Sequence, residues 1–236
     1  MRKFYTKQDL NVKNIILEED YNHIVNVLRM KVGDGIVLFN GDGADYTFRI
    51  DKINKKTIEA TFNSKKTNFK ENNCKVSIFQ AFIKPDNMEL LAQKLTELGA
   101  DSLVLFASDY TNMKCKETIV DKLKKVSIEA CKQCERSRAI DISICGGFDA
   151  MIDKLEGFDV VIFAYEKSAK SLKEALKNCN AKNVAVVVGP EGGFSKEEKD
   201  KMLQLSNVKE VSISKNILKA ETASIMLASV LMYEMN

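Results

Sequence analysis

The chain has a single histidine, no tryptophan and no long uninterrupted apolar segment in its 236 residues. One histidine, His23, cannot build a histidine metal cluster, and it has no evident partner for a nucleophilic triad. Nothing approaches the ~20 apolar residues that a helical membrane span needs. The first residues, Met-Arg-Lys-Phe-Tyr-Thr-Lys, lack the apolar core of a signal peptide, so a cytoplasmic location is expected. The six cysteines then belong to a reducing compartment. Cys131 and Cys134 form a Cys-x-x-Cys, but they fall late in a helical pattern, with no second pair to complete a zinc site. Charge of one sign is also missing, with 36 basic residues against 33 acidic. Nucleic-acid contact would therefore come from local patches. One is Lys52, Lys55, Lys56, Lys65, Lys66 and Lys70; the other is Lys114, Lys116, Lys122, Lys124, Lys125, Lys132, Arg136 and Arg138. Scattered lysines equally make an ordinary solvated surface.

What is present divides into two rhythms. Residues 35–40, 44–53 and 57–62 read as short strands, joined by the hairpin signal Asn40-Gly41-Asp42-Gly43 and by Asn54-Lys55-Lys56. Residues 20–30 read as a short helix with Ile24, Val27 and Leu28 inward. The polar stretch 64–73 reads as a linker, which sets domains at 1–70 and 74–236. Beyond it strand and helix alternate six times. Strands are expected at 76–83, 102–107, 142–145, 160–165, 184–188 and 210–214. Helices are expected at 86–98, 117–136, 148–155, 168–177, 195–205 and 218–234. Such alternation implies an α/β fold with a mainly parallel sheet covered by helices on both faces.

The dinucleotide fingerprint Gly-x-Gly-x-x-Gly is absent. It belongs after the first strand of such a sheet, where this chain has Lys84-Pro85-Asp86. Its glycines come instead after the fifth strand, a β-branched run at 184–188 that suits burial on both faces. There the chain reads Gly189-Pro190-Glu191-Gly192-Gly193-Phe194, and Ser195 with Glu198 then makes a capping box that starts a helix. Adjacent glycines permit positive φ and close approach of a ligand to the main chain. A tight turn without a ligand is the plainer alternative.

Two further segments keep company with this one: Phe163-Ala164-Tyr165-Glu166, and residues 213–223, Ile-Ser-Lys-Asn-Ile-Leu-Lys-Ala-Glu-Thr-Ala. Each of the three follows or ends a predicted strand, so in a parallel sheet their loops converge at one rim. Together they resemble the ribosomal RNA small subunit methyltransferase E family, within the SPOUT class of S-adenosylmethionine-dependent enzymes. Met88-Glu89-Leu90 with Thr96-Glu97-Leu98-Gly99, residues 129–136, and His23-Ile24 with Val27-Leu28-Arg29 extend the resemblance over nearly the whole chain. In two places it departs from the family pattern. Ile213-Ser214-Lys215-Asn216 replaces a common Leu-Gly-Pro-Arg, and Glu135 stands where glycine is common.

The resemblance implies a trefoil-knotted SPOUT domain, an N-terminal PUA-like β-barrel domain that grips RNA, and a homodimer. It also implies methyl transfer from S-adenosylmethionine to N3 of a uridine in small-subunit ribosomal RNA. The cofactor would be held by Ala164, Tyr165, Glu166, Val188, Gly189, Pro190, Gly192, Gly193, Ile213, Ile217, Leu218, Ala220 and Thr222. Arg136, Gln133 and Glu191 are the catalytic candidates, the first two as helix neighbours at i, i+3. Arg2, Lys3, Arg29, Lys84 and Lys219 are the RNA-binding candidates; Lys219 keeps a charge but not the planar fork of arginine. Each has an ordinary structural alternative, such as a helix-end cation for Arg136, a helix-start acid for Glu191, a helix-start hydroxyl for Thr222 and a core aromatic for Tyr165. The apolar stretch 223–232 reads as a helix that packs on the sheet and supplies a dimer surface. Three other functions remain open. They are a SPOUT ribose 2′-O-methyltransferase, an RNA-binding assembly factor without activity, and an α/β enzyme using a different nucleotide.

Overall fold

The computed structural model describes residues 2–68, 72–111 and 117–236; Lys70, Lys114 and Lys116 of the two basic patches lie outside these. The chain separates into two compact units, residues 1–71 with 131–139, and residues 72–130 with 140–236.

The first unit is a five-stranded sheet in the order β1-β3-β4-β5-β2. Its strands are β1 (Lys3–Tyr5), β2 (Asn14–Leu17), β3 (Gly35–Phe39), β4 (Ala44–Ile53) and β5 (Ile58–Thr67). Only β1 and β3 pair in parallel. Along β4, Tyr46, Phe48 and Ile50 are fully buried while alternate residues are not, the period-two pattern of a sheet with one covered face. The Asn40–Gly43 hairpin forms, with Gly41 and Gly43 at positive φ.

One expectation is met only in part in this unit and another fails. Residues 21–27 form the expected short helical stretch, but its His23–Val27 part is a π-helical turn, and Asp20 and Arg29 on either side are at positive φ. Ile24 is buried as expected, but Val27 is 63% exposed, because a wider turn rotates it off the inward face. The linker reading also begins too early, since Ser64–Thr67 continue β5 by pairing with Ala44–Thr47. Their side chains are exposed, so polarity said nothing about the backbone ladder beneath it.

The second unit is a six-stranded sheet in the order β11-β9-β10-β6-β7-β8, parallel throughout. Its strands are β6 (Lys75–Ala81), β7 (Ser102–Ala107), β8 (Asp141–Gly147), β9 (Val160–Ala164), β10 (Asn183–Val188) and β11 (Val208–Val211). Among the described residues six helices accompany them: α1 (Pro85–Leu98), α2 (Thr118–Cys134), α3 (Phe148–Leu155), α4 (Leu172–Leu176), α5 (Lys196–Met202) and α6 (Ala220–Met235). The expected α/β architecture with helices on both faces is present. One core joins Val76 and Ile78 of β6 to Leu91 and Leu95 of α1 and Leu227 and Leu231 of α6. The other joins Phe79 and Ala81 to Met151 and Leu155 of α3 and Met202 of α5. Alternate residues of one strand thus feed opposite layers.

Helix α4 is only one turn long and starts from a capping box at Ser171 and Glu174, three residues later than expected from Ser168. Helix α2 stops at Cys134 because Glu135 turns left-handed at φ +62°, so Arg136 lies beyond the helix. The i, i+3 argument that put Arg136 and Gln133 on one helix face therefore does not hold.

Candidate functional site

Strands β11, β9 and β10 are neighbours, so the loops that leave their carboxyl ends meet. Between them lies a cleft of about 280 Å³. The loop after β9 contributes Ala164, Tyr165 and Glu166, and the loop after β10 contributes Val188 to Phe194. The loop after β11 contributes Val211 to Ser214 and Asn216 to Leu218, and the first turns of α6 add Ala220 and Ala223. All the cofactor residues expected from sequence stand here except Thr222. That side chain is exposed on the first turn of α6, while Ala220 and Ala223 face the cleft. At 100° per residue Ala223 lies about 60° from Ala220 around the helix, whereas Thr222 lies about 160° from it. Phe194, Val211, Ser212, Ser214, Asn216 and Ala223 also line the cleft and were not singled out from sequence.

The glycine loop is shaped by what packs against it. A Cβ on Gly189 would stand 3.0 Å from the Phe194 ring, and one on Gly192 would stand 3.0 Å from Cβ of Tyr110. Phe194 is itself fixed against Phe163 (centroids 4.9 Å apart) and Phe148 (6.1 Å). The capping box that follows is the expected one: Glu198 N donates to Ser195 Oγ (3.2 Å) and Ser195 N to Glu198 Oε2 (2.9 Å). The buried Glu198 also accepts from Asp109 N (2.9 Å) and Ser108 Oγ (3.2 Å), and Ser195 Oγ donates to Asp109 Oδ2 (2.6 Å). The loop after β7 and the start of α5 are thereby one hydrogen-bonded block.

Tyr165 both packs against the core and lines the cleft. Its ring packs at the edge of a core cluster, stacks on Phe163 (6.0 Å, 12°), and carries Lys199 Nζ 4.0 Å from its centroid, while also lining the cleft. Glu191 is exposed at the mouth, where its Oε1 accepts from the backbone N–H of Lys84 (3.4 Å). Among the described residues that line the cleft, the charged side chains are Glu166 and Glu191, and none is lysine or arginine. Such a cleft disfavours a phosphate-bearing nucleotide and suits a cationic or neutral nucleoside held by backbone groups. A sulfonium nucleoside such as S-adenosylmethionine fits that donor set.

The remaining candidates are not among the residues that line the cleft. Gln133 is exposed and Arg136 half-buried; both belong to residues 131–139, grouped with the first unit, whereas the cleft is built by the second alone. Lys3 is not available to a phosphate. Its side chain is 6% exposed, pairs with Asp45 Oδ1 (2.6 Å), donates to Glu135 O (3.0 Å) and Ser137 Oγ (2.8 Å), and sits over the Phe39 ring. The RNA-binding expectation for Lys3 is corrected accordingly: a cation so enclosed is a structural post. Arg2, Arg29, Lys84 and Lys219 are exposed. The Cys131 thiol is buried, which pushes its pKa up to about 11 and keeps it protonated near neutrality.

Residues 70–232 match the RNA methyltransferase domain family. The chain belongs to that family. Residues 16–63 match the RNA methyltransferase PUA domain, within the five-stranded unit. Among relatives, the ribosomal RNA small subunit methyltransferase E of Bacillus subtilis is 28% identical over 229 residues, 93% of this chain and 89% of that protein. The protein of the same name from Rickettsia conorii is 27% identical, over 86% of this chain and 82% of its own length. A solved methyltransferase from Legionella pneumophila with bound S-adenosylmethionine superposes with a TM-score of 0.86 at 26% identity, covering 98% and 96% of the two chains. A small-subunit methyltransferase E from Neisseria gonorrhoeae, at 24% identity and the same TM-score, attests the fold.

Proposed function

We propose that the protein uses S-adenosylmethionine to methylate N3 of a uridine in the RNA of the small ribosomal subunit. The cleft carries this reading: three adjoining loops present backbone groups and two carboxylates but no cation. The relatives named above act, by name, on small-subunit ribosomal RNA, and they align along most of the chain. The Legionella relative binds S-adenosylmethionine on the same fold.

When bound, that cofactor supplies a methyl group on a sulfonium. The chain supplies placement and charge. Gly189, Gly192 and Gly193 let the main chain close on the nucleoside, and Tyr165 covers its edge. N3 lies on the Watson–Crick edge, so the uridine must be unpaired or turned out of its stack before it can react. As N3 loses its proton, negative charge develops on the uracil carbonyls. A guanidinium donor stabilises it, the role proposed for Arg136, with Gln133 as a second donor candidate, while Glu191 at the cleft mouth orients the base or accepts its proton. Arg2, Arg29, Lys84 and Lys219, with the exposed lysines 52, 55, 56, 65 and 66, hold RNA phosphates.

The same reading carries a trefoil knot and a homodimer. The strand order, in which β9 separates β10 from β11 and α6 returns to pack on β6 and β10, supports the first. Exposed Met226 and Tyr233 on α6 support the second, with multi-angle light scattering as its check. The decisive measurement is mass spectrometry of ribosomal RNA from cells with and without the gene. Loss of one 3-methyluridine is expected; loss of a ribose methyl, or of no mark, overturns the reading.

A further inference from the structure

A glutamine lies where the sheet calls for an aliphatic side chain. Alternation along β6 directs Val76, Ile78 and Gln80 to the layer beneath α1 and α6. Gln80 is fully buried there, with Val188 as its register partner across the β6–β10 ladder. An amide in such a place costs free energy unless every polar atom finds a partner. Here they do. Nε2 donates to the carbonyl oxygens of Gly189 (3.0 Å) and Ala81 (3.0 Å), with Val188 O at 3.5 Å, and Oε1 accepts from Ser224 Oγ at 2.6 Å.

Two of these partners belong to the segments that wall the cleft. Gly189 opens the glycine loop immediately after β10 ends. Ser224 is on the buried stripe of α6, one residue past Ala223 and one turn past Ala220, which form the opposing wall. We propose that Gln80 is a positioning residue for cofactor binding, clamping the Gly189 carbonyl to Ser224 of α6 and so fixing the spacing of the two walls. This rests on the S-adenosylmethionine reading of the cleft. The clamp aims the Gly189 carbonyl into the core, so that the peptide planes following it keep one orientation toward the cleft. A buried amide with all its bonds made specifies one arrangement, whereas an aliphatic side chain at this place tolerates several.

The test is the double variant Gln80→Leu with Ser224→Ala, compared with the wild type. Removing the amide and the hydroxyl together strands no side-chain donor but takes Nε2 from the Gly189 and Ala81 carbonyls, so the melting temperature is expected to fall by several degrees with the fold kept. Two readouts follow, neither of which a merely structural role moves while the fold holds. Amide hydrogen exchange at residues 188–194 is expected to quicken at least tenfold. The calorimetric Kd for S-adenosylmethionine is expected to rise at least tenfold, with KM for the cofactor rising and kcat nearly unchanged. A folded variant with wild-type exchange and affinity overturns the clamp. A wild-type protein that binds no S-adenosylmethionine overturns the cofactor reading instead, and exchange then decides the clamp alone. Should the double variant not fold, Ser224→Ala is read in the same way, with a threefold change expected and an unchanged Kd and exchange rate overturning the proposal.

Discussion

Glu135 holds a left-handed conformation at φ +62° that L-residues resist, at a cost of roughly 1–2 kcal/mol. The position follows the last residue of α2, where glycine commonly ends a helix. The sequence had already marked it, since Glu135 stands where the resembled family commonly has glycine. Its backbone carbonyl accepts from Lys3 Nζ and from Asn68 Nδ2 (2.7 Å), and these bonds do not need the side chain. Glu135→Gly is therefore expected to stabilise the protein by about 1 kcal/mol, read as a higher urea midpoint. Lys3 and Arg2 separate at the same scale. Lys3→Ala removes the enclosed cation from Asp45, which keeps Ser137 Oγ and Asn68 Nδ2 as donors, and is expected to cost about 2 kcal/mol of stability. Arg2→Ala is expected to leave folding unchanged and to lower the salt slope of RNA binding by about one unit. A filter-binding titration from 50 to 200 mM salt, beside denaturant unfolding, distinguishes the two.

Among the elements, the parallel strands were the most legible part of the sequence. Buried β-branched runs such as Val184–Val188 carry a signal that packing reinforces, and β7 begins and ends where expected. Legibility failed where backbone pairing runs under polar side chains, as at the end of β5. It also failed where strands are too short to show a period, as in β1 and β2. For the cleft, the glycine loop and the β9 and β11 loops were readable because glycines and turns mark strand ends. Gln80 was not, since a lone glutamine in an apolar run signals nothing until its partners are known. The start of α5 shows how one readable motif conceals a larger one. Ser195 and Glu198 declare a capping box, but the bonds from Glu198 to Ser108 and Asp109 join residues about ninety positions apart. Glu198→Ala is expected to cost about 2–4 kcal/mol, more than the ~1 kcal/mol of an ordinary cap, as a lower melting temperature would show.

At the scale of the whole chain, two buried thiols tie stability to alkaline pH. Burial pushes Cys74 and Cys131 from the ordinary value of 9.0 up to about 11 in the folded protein. The unfolded chain therefore releases these protons first. Stability is expected to be full below about pH 9 and to decline as pH rises toward 11, because the folded state then binds more protons than the unfolded one. Urea midpoints from pH 8 to pH 10.5 should show the decline, and Cys74→Ala with Cys131→Ala should flatten it. The sheet also orders events in time. Its central strand, β6, is the first of the second unit to leave the translating ribosome, yet its neighbour β10 pairs Val188 with Gln80 only 108 residues later. Until then one edge of β6, with Val76, Ile78 and Phe79, waits without a neighbour, which is a standing invitation to aggregate. Nascent chains halted before residue 183 should therefore bind holding chaperones, and full-length release should free them.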